Sequence, residues 1–236
     1  MKTINPIKVL LAEDHMIVRE GLRFLLNSEM DIVVVGEASD GREAVEMAQR
    51  LRPAVVIMDI AMPRLNGLEA LRQIHQLLPQ AKVIILSAYG YEAYVDKVMA
   101  LGAHGYLIKQ TSAQLLAKAV REVHKGGHFF SPDIAKKMAS RAQPSMNRHG
   151  DIKVQRPALS SRESEVLQLV AEGLANKNIA SSLHISIKTV EKHRNNLKQK
   201  LDIHDTAGLT RYAMNSGIIE MSHLALVDNL NILDGS

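Results

Sequence analysis

Asp59 closes an apolar run, Ala54-Val55-Val56-Ile57-Met58, and is followed by Ile60-Ala61-Met62-Pro63 and the turn pair Asn66-Gly67. A carboxylate at the end of a buried strand is costly unless a cation meets it there. Two further runs end in the same way: Val9-Leu10-Leu11-Ala12 runs into Glu13-Asp14, and Gly105-Tyr106-Leu107-Ile108 into Lys109. Open α/β sheets bind ligands outside the carboxyl ends of their parallel strands. Three acids and one lysine at three such ends therefore predict a single site. Carboxylates are ligands for a hard divalent cation and can act as nucleophiles, and a lysine beside them stabilises developing negative charge.

The elements that must position these groups alternate in period. Strand-like runs at roughly 7–12, 32–35, 54–58, 82–86 and 104–108 are separated by segments with helical spacing. The first of these segments carries Ile17, Gly21, Phe24 and Leu25 on one face; the others are Glu43 to Leu51, Leu68 to Leu77, Ala93 to Leu101 and Ala113 to His124. Such alternation predicts a five-stranded, doubly wound parallel sheet of the flavodoxin-like kind, covered on both faces, over residues 1–127. Gly126-Gly127 stops the last helix and Ser131-Pro132 starts a short one. Residues 128–157, with Pro144, Gly150 and Pro157 among scattered polar positions, read as a linker.

Residues 158–220 predict an all-α, four-helix domain. Ser161, followed by Glu163 and Ser164, signals a helix start, and Val166, Leu167, Leu169 and Val170 form its apolar stripe up to Gly173. A short helix from Lys177 to Leu183, a turn His184-Ile185-Ser186 and a longer helix from Ile187 to Leu201 follow, then a last helix from about Asp205 to Asn215. Val190, Leu197 and Leu201 recur at core spacing, which aims Lys188, Lys192, Asn195 and Gln199 the other way. This is the pattern of a helix-turn-helix whose second helix enters the DNA major groove.

Composition agrees and excludes other classes. The chain has 236 residues, a net charge of +4 and no cysteine, which removes disulfides, thiolate metal sites and cysteine nucleophiles. Nearly all of the positive excess lies beyond residue 128, where a polyanion would bind. No run approaches the roughly 20 apolar residues of a membrane span, so a cytoplasmic protein is expected. None of the ten histidines falls in a HExxH spacing, and no phosphate-binding GxxxxGK[ST] loop or GxSxG elbow is present.

With these motifs in view, residues 7–125 resemble the receiver domain of two-component response regulators. The resemblance rests on Glu13-Asp14-His15, Val18 to Leu22, Asp59 to Gly67, Ser87-Ala88 and Tyr106 to Lys109. Residues 159–219 resemble the LuxR-type helix-turn-helix through Leu159 to Glu163, Gly173, Asn176-Lys177, Ile179-Ala180, Thr189-Val190 and His193. The combination resembles the NarL/FixJ family. The resemblance implies that Asp59 accepts a phosphoryl group from a sensor histidine kinase. Glu13, Asp14, Asp59 and the Ala61 backbone carbonyl would then hold Mg²⁺, and Ser87 and Lys109 would bind phosphoryl oxygens. It implies that Ser87 and Tyr106 form the switch, the ring turning inward on phosphorylation. Gln110 departs from the proline many receivers carry after the lysine. Expected DNA contacts are Lys177, Thr189 and His193 to phosphates, and Lys188, Lys192 and Asn195 to bases, with Glu191 either a base contact that accepts from cytosine N4 or a solvated helix charge.

The expected function is a transcriptional response regulator, not an enzyme beyond its own phosphorylation and slow dephosphorylation, that binds promoter DNA as a homodimer on activation and has no membrane partner. Two other readings remain in play: an α/β hydrolase using Asp59, and a phosphorylation-independent DNA-binding regulator with a dimerising receiver. Residues 221–236, with Leu224, Leu226, Val227, Leu230, Ile232 and Leu233, lie beyond the family pattern and carry no assigned role.

Overall fold

The computed structural model describes residues 5–88, 92–136 and 159–219; the expected linker beyond residue 136 and the 221–236 tail lie outside them. Five βα units come first: β1 (Ile7–Ala12), α1 (Met16–Asn27), β2 (Ile32–Ala38), α2 (Gly41–Leu51), β3 (Val55–Asp59), α3 (Gly67–Leu77), β4 (Lys82–Ser87), α4 (Glu92–Ala100), β5 (Gly105–Ile108) and α5 (Ala113–His124). A two-residue strand, β6 (Phe129–Phe130), then pairs in parallel with β5. The sheet therefore has six strands, in the order β2-β1-β3-β4-β5-β6, rather than the expected five. Two residues are too few for a periodic signal, which is why this strand is invisible in the sequence.

The strands are continuously apolar because both faces are covered. Leu10, Val56, Met58, Ile85 and Tyr106 pack toward α2, α3 and α4. Their neighbours Val9, Leu11, Val55, Ile57, Ile84 and Leu107 pack toward α1 and α5. Pairing of β1 with both β2 and β3 places the reversal of strand order between β1 and β3, and a crevice opens at their carboxyl ends.

In α1 the stripe Ile17-Gly21-Phe24-Leu25 does not face the sheet. Leu22 and Leu26 do, while Ile17 is 83% and Phe24 76% exposed. The helix has two apolar stripes and the sheet takes the one offset from the more obvious.

The second unit comprises α6 (Ser161–Ala171), α7 (Asn176–Ser182), α8 (Ile187–Leu201) and α9 (Thr206–Asn215). Val166, Leu169, Ile179, Val190, Leu197, Leu201 and Leu209 form its core. The residue that caps α6 is Ser160, one before the expected Ser161. Its hydroxyl accepts from the Glu163 amide and the Glu163 carboxylate accepts from the Ser160 amide, a reciprocal cap.

The two units are in contact through α6 against α2 and α3. Arg42 donates to the Ser182 carbonyl at 3.1 Å and pairs with Glu165, Gln73 donates to Glu165 at 3.2 Å, and Lys97 donates to the Ser216 carbonyl at 3.0 Å.

Candidate functional site

Asp59 is the last residue of β3 and Glu13 and Asp14 directly follow β1, so the strand-order reversal brings the three acids together. Asp59 is 2% exposed and Glu13 1% exposed. Lys109, just past β5, places its Nζ 2.9 Å from Asp59 Oδ2, 2.9 Å from Glu13 Oε2 and 3.0 Å from Glu13 Oε1. Lys109 is anchored by its backbone amide, which donates to the Ser87 carbonyl at 2.8 Å. Ser87, the last residue of β4, is buried beside it. The expected acids, lysine and serine thus lie at adjoining strand ends.

Glu13, Asp14, His15 and Asp59 each offer a ligand atom, and all four atoms lie within 4.8 Å of one another. The three carboxylates of that set fit a hard divalent cation, which takes oxygen ligands. His15 was not among the expected ligands. Its Nδ1 lies 2.9 Å from Asp14 Oδ1 and 3.3 Å from Glu13 Oε1, and adjacency to the acid pair was the only signal for it. Arg19 also went unanticipated; its guanidinium donates to the Glu13 carbonyl at 2.6 Å and holds the acid-bearing turn.

Burial and the Glu13 charge push the Asp59 carboxyl up to about 7, against the opposing attraction and hydrogen bond of Lys109. For Lys109, burial acts downward, but the attraction and hydrogen bonds of Asp59 and then Glu13 outweigh it, and the ammonium is held above its ordinary range. One cation is shared among more anions than it can neutralise. Such a site favours an arriving cation.

The loop from Ile60 to Asn66 completes the site. The Gly67 amide donates to the Ile60 carbonyl at 2.8 Å, and a Cβ on Gly67 would lie 1.9 Å from the Asp59 carbonyl oxygen, so no other residue fits. Asn66 caps α3, its side chain accepting from the Glu69 amide at 3.0 Å. Tyr106 is fully buried within the core on the α3–α4 side of the sheet. The expected inward swing of this ring thus has no outward starting position here, because β5 packs it into that core.

In the helical unit, Lys188, Glu191, Lys192 and Asn195 all lie on the exposed face of α8, and Lys177 is exposed on α7. Thr189 is half-buried, its Oγ1 2.8 Å from Ser186 Oγ at the helix start. His193 is half-buried, and its Nδ1 is buried without a hydrogen-bond partner, which leaves Nε2 as the ring nitrogen open to an outside group. Arg194, beside that exposed face, is held by Asn176 Oδ1 at 2.8 Å.

Comparison with known proteins agrees with both units. The response regulator receiver domain model matches residues 9–121, and the model of bacterial regulatory proteins of the luxR family matches residues 157–213. The chain is 34% identical over 228 residues to the transcriptional regulatory protein DegU of Brevibacillus brevis, spanning 92% of this chain and 97% of that protein. It belongs to the NarL/FixJ family of response regulators. The response regulator VraR of Staphylococcus aureus is 37% identical over 214 residues, covering 91% of this chain and 99% of that one. Among solved structures, the RcsB–DNA complex aligns with a TM-score of 0.56 at 28% identity, over 90% of this chain and 99% of that one. A LuxR-family two-component response regulator from Aurantimonas aligns with a TM-score of 0.56 at 33% identity, over 58% of this chain and 99% of that one. This NarL/FixJ regulator therefore combines a receiver with a DNA-binding domain and acts in transcription regulation rather than as a catalytic enzyme. Among its described residues, no helix is long and apolar enough to cross a membrane.

Proposed function

We propose that Asp59 is the phosphoacceptor of this regulator and that its phosphorylation by a sensor histidine kinase controls dimeric binding to promoter DNA. The observation that carries the reading is the burial of Asp59 between the Glu13–Asp14 pair and the Lys109 ammonium at 2.9 Å. An Asp59 carboxylate oxygen forms the new P–O bond as the P–N bond of the donor phosphohistidine breaks, and the leaving imidazole takes up a proton. Lys109 and the Ser87 hydroxyl meet the phosphoryl oxygens and stabilise their charge. Glu13, Asp14, Asp59 and the Ala61 carbonyl would hold Mg²⁺, which when bound neutralises the approaching anions. The Ser87 hydroxyl, on meeting the phosphoryl group, carries the consequence of phosphorylation outward from the site.

On DNA, Lys188, Glu191, Lys192 and Asn195 face the bases, and Lys177, Thr189 and His193 contact phosphates. A solved structure of a relative is described as two RcsB dimers bound to two parallel DNAs. One helix-turn-helix buries a small interface, so two copies on adjacent half-sites supply useful affinity. The units divide at 1–127, 128–157, 158–220 and 221–236, the chain works in the cytoplasm, and slow loss of the phosphoryl group resets it.

The test is phosphoryl uptake from a small acyl phosphate with Mg²⁺, read by intact mass. One phosphoryl group is expected, none in Asp59→Asn and none after chelation. Uptake that survives Asp59→Asn overturns the assignment.

A further inference from the structure

Gln168 is the most deeply buried polar side chain of α6, 1% exposed, yet it points out of its own domain. Its Oε1 accepts from the Asn66 amide at 2.8 Å and from Asn66 Nδ2 at 3.0 Å. Its Nε2 donates to the Met62 carbonyl at 2.9 Å and to Glu172 Oε1 at 2.7 Å. Both donors and the acceptor are used, three of the four bonds on the loop that follows Asp59. Met62 adjoins Ala61 in that loop, and Asn66 ends it. A buried carboxamide satisfied in this way cannot shift piecemeal, because each partner it abandons is left unpaired away from water.

The same docked arrangement leaves Lys188, Glu191, Lys192 and Asn195 exposed. What docking reaches is the acceptor loop, not the face that reads DNA.

We infer that Gln168 is a positioning residue for the phosphoacceptor loop: through Met62 and Asn66 it holds the loop in its unphosphorylated arrangement and so slows phosphoryl uptake at Asp59. This rests on the reading of Asp59 as phosphoacceptor. Because coupling is reciprocal, a change at Asp59 that moves the loop weakens docking of α6, and loss of docking eases the change at Asp59.

The experiment follows the initial rate of phosphoryl uptake by the full chain from a small acyl phosphate across a Mg²⁺ series. Gln168→Ala should raise the rate about five-fold or more and lower the Mg²⁺ concentration for half-maximal rate. Gln168→Glu should act in the same direction, since it keeps the size but sets a carboxylate oxygen against the Met62 carbonyl and Glu172. Arg42→Ala loosens docking without touching the loop and should have a smaller effect. Binding of non-specific duplex DNA, unchanged in each variant, certifies the fold of the helical domain. An unchanged or slower rate in both Gln168 variants overturns the proposal, as does an Arg42→Ala effect equal to that of Gln168→Ala. A wild-type chain that takes up no phosphoryl group at all refutes instead the reading of Asp59.

Discussion

Replacing Asp59 by asparagine should make the metal-free protein more stable at pH 8. Burial and the Glu13 charge raise Asp59 from an ordinary 3.8 to about 7. Each unit of such a rise corresponds to about 1.4 kcal/mol, so keeping Asp59 ionised costs the fold on the order of 4 kcal/mol above pH 7. Asparagine gives up the ion pair with Lys109, which retains Glu13 at 2.9 Å, so the net gain is ~2 to 4 kcal/mol. A carboxyl raised in the folded state holds its proton more tightly there than when unfolded. Its destabilising effect is absent below the unfolded value of 3.8 and complete above the folded value of about 7. The advantage of Asp59→Asn should therefore be near zero in acid, grow through neutrality and level off by pH 8. Urea unfolding followed by circular dichroism, in chelator, measures this at pH 4 and pH 8. Mg²⁺ should narrow the gap at pH 8, since a cation that binds only the folded site stabilises the wild-type chain. A variant no more stable than wild type at pH 8, or one with the same advantage at both pH values, refutes the reasoning.

Three further outcomes follow from other parts of the chain. Gly67→Ala must push a methyl group against the Asp59 carbonyl, 1.9 Å away, and should lower stability by ~3 kcal/mol or more and abolish phosphoryl uptake; a near-normal thermal melt contradicts this. Burial acts upward on the Glu163 carboxyl, but the Lys200 hydrogen bond at 2.7 Å and the Ser160 amide bring it below its ordinary value of 4.5. Its stabilising effect is present above that value and disappears as pH falls through the lowered one, so Glu163→Gln should cost ~1 to 3 kcal/mol at pH 7 and progressively less in acid. A cost independent of pH down to 3 rules out the ion pair as its source. On DNA, Lys192→Ala or Asn195→Ala should lose ~1 to 3 kcal/mol on the specific site alone, while Lys177→Ala should weaken all sequences alike and flatten the salt dependence. Equal losses by Lys192→Ala on specific and random duplexes would remove it from the base-reading set.

The grouping of the receiver's acids and lysine was legible in the sequence because it depends on where strands end. Each apolar run marks a strand, a parallel sheet puts all the carboxyl ends on one side, and Glu13, Asp14, Asp59 and Lys109 are then neighbours by topology alone. The same holds for the exposed face of α8, since Val190, Leu197 and Leu201 turn Lys188, Lys192 and Asn195 outward at any fold-independent helical spacing. Periodicity says which residues share a face. It does not say what that face will meet.

Tertiary structure decided the remainder for that reason. In α1 both the Ile17–Phe24 stripe and the Leu22–Leu26 stripe are apolar, and only the position of the sheet selects the second. The burial of Tyr106 depends on the core under α3 and α4, and the pairing of Phe129–Phe130 with β5 depends on a free sheet edge. Gln168 is the sharpest case. On its own helix it reads as a polar residue facing water, and it becomes a buried carboxamide only because α6 lies against the loop of another domain. That contact joins residues 102 positions apart or more, a relation that no local pattern of side chains encodes.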